Sequence, residues 1–290
     1  MIILNEKEFA EECLRNKSLG ESPYVSLTIL AKYYYNCFGY RKKKITELLT
    51  DFVSKYFSEY DVNRAGWEET IDSIASKAGK QPFYEIDGVW ITADELKTIE
   101  NINNKVLERL AFTMLCIAKL RNLKNPENNG WVTTSAKDLF MLARISCKAI
   151  ERFQKIGALG SMGLLEFPKQ NGNLNNRVTF INDDSDKVLF ISDFRELGYE
   201  YLKYKGGNFI RCRDCGILIR SNKNGTKKYC KDCAAYTIKK NKVLICTDCG
   251  KEFVVAGNDK RTQRCSDCYA IHRRNKVREN VQRYRQNKTM

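Results

Sequence analysis

Cys212-Arg213-Asp214-Cys215-Gly216 and, 34 residues later, Cys246-Thr247-Asp248-Cys249-Gly250 open two copies of one pattern. The first copy closes with Cys230-Lys231-Asp232-Cys233 and the second with Cys265-Ser266-Asp267-Cys268. Fourteen residues separate the pairs in the first set and fifteen in the second, so the segment is an internal duplication. Zn²⁺ takes four thiolates in a tetrahedron, and a Cys-x-x-Cys turn aims two sulfurs at one metal. Two turns close the site and leave no position for water, so two structural zinc ions per chain are expected. The expected ligands are Cys212, Cys215, Cys230 and Cys233, then Cys246, Cys249, Cys265 and Cys268. Disulfides are disfavoured where no export signal is visible, and iron–sulfur clusters use other spacings. Redox pairs would not recur four times in duplicated register.

Charge is the next signal outward from the cysteines. The chain has 290 residues, with 50 Lys and Arg against 35 Asp and Glu, a net charge of +15. Residues 208–290 hold 21 of the bases and 7 of the acids, while residues 1–207 are nearly balanced. A basic segment on a neutral body points to a polyanion, most commonly nucleic acid. The last helix, expected from about Tyr269 to Asn287, carries Arg273, Arg274, Lys276, Arg278, Arg283, Arg285 and Lys288 against Glu279 alone. Such a helix neutralises phosphates with little choice of sequence. Its spaced apolar residues Ala270, Val277, Val281 and Tyr284 suit packing on the body or pairing of two chains, so a homodimer is an alternative.

The rest of the chain reads as mainly α, within an α+β class. Residues 1–92 are expected to be helical, ending in a hairpin at 82–91, because Asp87-Gly88 lies between apolar runs. Thr92-Ala93-Asp94-Glu95 is a capping box, and Leu96 to Ile117 recur at the spacing of one helix over roughly 93–123. Then come a strand at Gly130–Thr134, a helix capped by Ser135, a turn, and a helix from Cys147 to Ile156 capped by Ser146. Strands at 163–167 and 177–181 flank a Gly/Asn-rich loop. Residues 183–207 form a connector strand and helix, and the zinc modules cover 208–245 and 246–290.

The order helix, strand, helix, turn, helix, strand, loop, strand over 93–182 resembles a winged helix-turn-helix. The resemblance implies a recognition helix at 147–156, with Ala149, Ile150, Phe153 and Ile156 packed inward. Lys148, Arg152 and Lys155 would reach base edges and phosphates from the free face, and Lys169 and Arg177 would do so from the wing. Knuckle, hairpin and helix in each zinc module resembles the treble-clef zinc-finger family, with the zinc ribbon as the alternative. The combination resembles uncharacterised phage and mobile-element DNA-binding proteins of low-GC bacteria.

These features lead to a non-enzymatic, zinc-dependent nucleic-acid-binding protein, with DNA favoured over RNA. A transcriptional regulator or a replication or mobile-element accessory factor is expected. One alternative is an adaptor that docks on a nucleic-acid machine such as RNA polymerase, through residues 1–207. A nuclease is the second alternative. The lone histidine, His272, cannot supply both the general base and the histidine metal ligand of His-Asn-His nucleases, which leaves only a carboxylate-based site. No apolar stretch approaches the roughly 20 residues of a membrane span, and the N-terminus lacks a basic n-region, so a cytoplasmic protein is expected.

Overall fold

A computed structural model describes residues 2–168, 175–222, 224–239, 241–256, 259 and 261–288. Contacts divide the chain into two compact units, Met1–Gly207 and Asn208–Met290. The fold is mainly α, with small antiparallel sheets.

The first unit begins with α1 (Glu6–Asn16), α2 (Pro23–Phe38), α3 (Lys42–Tyr56) and α4 (Arg64–Lys77). The Asn5 side chain accepts from the Lys7 and Glu8 backbone N–H groups and so starts α1. Pro23 lies in the first turn of α2, where its missing N–H costs nothing, and Gly39 ends that helix at φ 68°. Ala10, Leu27, Leu30, Ile45, Leu49, Val53 and Ile71 meet in one apolar cluster. Lys32 and Glu6 form a buried ion pair that ties α2 to α1.

A second core is built around one helix. The elements are β1 (Val89–Thr92), α5 (Ala93–Glu100), α6 (Lys105–Lys124), β2 (Trp131–Val132), α7 (Ala136–Leu142), α8 (Ala149–Ser161), β3 (Leu165–Glu166), β4 (Asn176–Val178), β5 (Lys187–Ile191) and α9 (Leu197–Tyr204). Helix α6 is buried from Leu110 to Leu120, because its apolar residues run round the whole circumference. β2, β4 and β3 form an antiparallel sheet with β4 in the middle, and β1 pairs antiparallel with β5. Glu95 is fully buried, and its carboxylate accepts from Lys119 Nζ at 2.8 and 2.9 Å, from Thr92 N–H at 2.8 Å and from Asn182 N–H at 3.0 Å. Tyr201 on α9 donates to Glu108 on α6 at 2.9 Å and packs against Phe112.

Several expectations are corrected here. The 82–91 hairpin does not form: β1 pairs with β5, and Glu85 bridges to Asn5. Gly88 serves close approach, since a Cβ there would lie 2.4 Å from the Ile191 carbonyl oxygen. The single helix over 93–123 is two helices, because Asn103 adopts φ 53° and the Asn104 side chain caps α6 through the Val106 and Leu107 N–H groups. The expected cuts at 92 and 182 pass through one core that runs from Val89 to Tyr201. Helix α8 has its N-cap position at Lys148 and not at Ser146, and it continues past the expected end at Ile156 through Gly157 and Gly160. Its apolar face is also turned: Ile150 is 66% and Phe153 52% exposed, and Ile156 and Leu159 are the buried pair.

The second unit contains β6 (Phe209–Arg211), β7 (Leu218–Arg220), α10 (Lys231–Lys239), β8 (Asn241–Ile245), β9 (Glu252–Ala256) and α11 (Ser266–Lys288). Hairpins β6–β7 and β8–β9 are antiparallel. Among the described residues, no helix is long and apolar enough to cross a membrane.

Candidate metal centres

The first Cys-x-x-Cys knuckle of each set forms the turn of a hairpin. Cys212 to Cys215 joins β6 to β7, and Cys246 to Cys249 joins β8 to β9. The strands therefore flank the knuckles, where the sequence reading placed hairpins only after them. Gly216 and Gly250 follow at φ 69° and 71°, a left-handed conformation that glycine adopts without strain. In both turns the glycine N–H donates to the first cysteine's carbonyl at 2.9 Å. The second pair of each set lies at a helix start. Cys230 and Cys265 immediately precede α10 and α11, and Cys233 and Cys268 lie in their first turns. The zinc-ribbon alternative, with both pairs on hairpin turns, describes neither module.

This arrangement gathers four sulfurs in each module, all within 4.8 Å of one another. Cys215 Sγ lies 3.7 Å from Cys230 Sγ, and Cys249 Sγ lies 3.8 Å from Cys265 Sγ. A tetrahedron with Zn–S bonds of about 2.3 Å has edges of about 3.8 Å, so the sulfurs already stand at coordination spacing. A disulfide needs sulfurs at about 2.05 Å, and every one of these cysteines is free. The two tetrads fit two structural zinc ions per chain. Four thiolates close each site, so the metal supplies folding energy and has no position for substrate.

Backbone donors prepare one sulfur of each site for this role, whereas the thiols of Cys215, Cys233, Cys249 and Cys268 are shifted upward. Cys230 N–H donates to Cys212 Sγ at 3.2 Å, and Cys265 N–H donates to Cys246 Sγ at 3.4 Å. Burial alone would raise the Cys212 thiol, but N–H groups of Cys215, Cys230 and Asp214 bring it down to about 6. At Cys246 the Cys265 N–H leads, burial opposes it, and the Cys249 and Asp248 N–H groups help set the value at about 6. The first site also has a small apolar surround of Ile210, Ile217, Ile219 and Tyr229. In the second, Val243, Ile245 and Val254 lie exposed on the hairpin.

The remaining expected contact residues fare differently. Lys148 is exposed at the start of α8. Arg152 and Lys155 are half-buried, and Lys155 pairs with Glu151 at 3.7 Å. Arg177 is committed to the protein: it donates to Glu166 at 2.8 Å and to the Asn129 carbonyl at 2.9 Å. Lys169 lies outside the described residues. On α11, Arg273, Arg274, Lys276, Arg278 and Arg283 are all exposed. Arg285 and Lys288 belong to the same helix, and their side chains lie outside what is described. Of the isolated cysteines, Cys13 and Cys116 are buried and Cys147 is half-buried, whereas Cys37 is exposed. No family model, no curated protein and no solved structure matches the chain.

Proposed function

We propose that this is a zinc-dependent nucleic-acid-binding protein whose second unit holds the phosphate backbone. The observation that carries the reading is α11. It is 23 residues long, about 34 Å at 1.5 Å per residue. Its side chains from Tyr269 to Tyr284 are exposed throughout. Five described bases lie on it, and none of them pairs with a carboxylate among the described residues. A polyanion provides the missing counter-charge, with release of its own condensed cations. The zinc modules give this helix a fixed origin, because Cys265 and Cys268 anchor its first turn.

The element order from α6 to β4, with the sheet order β2-β4-β3, supports a winged-helix reading of that part of the first unit. On this reading Lys148 is the α8 base best placed for nucleic acid. DNA is favoured over RNA, and the role is that of a regulator or of a replication or mobile-element accessory factor. Exposed Ile150 and Met141 favour a second reading, in which α7 and α8 dock on a protein. The test compares the full chain with a chain ending at Gly207, on random duplex DNA and on single-stranded RNA over a salt series. The proposal expects the truncation to remove most affinity and most of the salt dependence. Equal binding by both chains with equal slopes refutes it. Salt-independent capture of a protein partner by residues 1–207 would favour docking.

A further inference from the structure

A cleft of about 660 Å³ opens beside the start of α7, one side of α8 and the Phe167–Pro168 segment. That volume falls within the range of roughly 300–1,000 Å³ usual for small-molecule sites. Ala136, Ala149, Phe153, Ile156 and Phe167 give it apolar walls. Its charges are one-sided: among the described residues Arg152 and Lys137 line it, and no carboxylate does.

Arg152 is the unusual residue. Its Nε is buried and has no hydrogen-bond partner among the described residues. Its Nη2 makes only a 3.5 Å contact with the Cys147 carbonyl. A guanidinium N–H out of water and without an acceptor is unfavourable, and native proteins rarely leave one so. Arg152 lines the cleft, and a carboxylate there would match its guanidinium in charge and in planar geometry.

Two glycines of α8 sharpen the argument. Glycine is a poor residue in a helix interior, so each needs a reason. Gly160 has one in packing, since a Cβ there would lie 2.2 Å from the Phe167 ring. Gly157 has none of that kind: a Cβ there meets nothing within 4 Å, and the residue lines the cleft. What glycine achieves at 157 is open space beside Arg152.

We propose that this cleft binds a small organic carboxylate with an aromatic or branched aliphatic body, its carboxylate held by Arg152 and its body between Phe153 and Phe167. The site is independent of the nucleic-acid reading, and its test contains no nucleic acid. Three probes, 2-naphthoate, indole-3-acetate and 4-methylpentanoate, are titrated into the zinc-loaded full chain by ligand-observed NMR, each beside its primary amide. At least one carboxylate binds with a dissociation constant below about 2 mM, at least about tenfold tighter than its amide. Gly157→Leu puts a side chain into the cleft beside Arg152 and weakens carboxylate binding about tenfold or more, while thermal unfolding stays at or above that of the parent because a helical glycine is gone. Arg152→Gln weakens the carboxylate about tenfold or more and leaves the amide unchanged. The proposal fails if none of the three carboxylates binds at about 2 mM, if the amides bind equally well, or if either variant binds carboxylate like the parent.

Discussion

Three arginines of α11 allow a quantitative test of the backbone-holding role. At about 100° per residue, positions 274, 278 and 285 fall within about 40° of one another on the helix. They form one row, able to follow one strand of phosphates, whereas positions 276 and 283 lie on another side. Each phosphate neutralised on duplex DNA contributes about 0.9 to the slope of log affinity against log salt. Replacing Arg274, Arg278 and Arg285 together by Gln should therefore flatten the slope by about 2.7 and lower affinity at 0.1 M salt by two to three decades. Gln keeps a helix propensity close to that of Arg, so the helix itself persists. The assay is fluorescence anisotropy on a labelled random duplex across a KCl series. Asn275→Ala with Gln282→Ala, away from that row and uncharged, should leave the slope alone. A triple variant with the parent's slope would show that this row does not face phosphate, and the charge argument for α11 would fall with it.

Other outcomes follow from the same geometry. Metal analysis should return about two zinc equivalents per chain, falling to about one in Cys215→Ser or Cys249→Ser, because three thiolates leave a tetrahedral site open; unchanged stoichiometry in both variants contradicts the assigned ligands. A strong chelator should melt the β6–β7 and β8–β9 hairpins while the fluorescence of Trp67, Trp90 and Trp131, all in the first unit, stays constant; a fluorescence change that tracks zinc loss would oppose two separately stabilised units. Lys119→Met leaves the buried Glu95 carboxylate without its cation and should cost about 3–5 kcal/mol of first-unit stability in urea, read by tryptophan fluorescence; a cost below about 1 kcal/mol would mean water reaches the pair. Tyr201→Phe removes a buried donor to Glu108 and should cost about 1–3 kcal/mol in the same assay, and a neutral result would indicate that Glu108 finds another donor.

The metal centres were legible in the sequence because coordination is local. Spacing within a knuckle fixes two sulfurs, and duplication identifies the pairs that belong together. Charge and cysteine content also change together after Gly207. Pairings between distant segments were not legible. Asp87-Gly88 has the composition of a hairpin turn, yet Gly88 is needed for the approach to Ile191, a residue a hundred positions away, and no local pattern announces that. The break between α5 and α6 left a sign that was passed over. Asn101, Asn103 and Asn104 cluster there, and asparagine is the residue that most readily combines a left-handed turn with a helix cap. The buried face of α8 depends on residues beyond Ile156, where the sequence pattern ends the helix. With Leu159 included, Ile156 and Leu159 define the buried side, and Ile150 and Phe153 turn outward.

The β1–β5 pairing also sets a schedule for synthesis. Val89 is made about a hundred residues before its partner Ile191. At about 5–20 residues per second, that strand waits roughly 5–20 seconds on the ribosome with its edge unpaired. The helical cluster that ends at Ala78 is complete by then and can close as it emerges. The core around α6 cannot, since it takes its last buried aromatic from Tyr201. During that interval Val89 and Ile91 form an apolar edge open to neighbouring chains, so the nascent first unit is most vulnerable to aggregation between the emergence of β1 and that of α9.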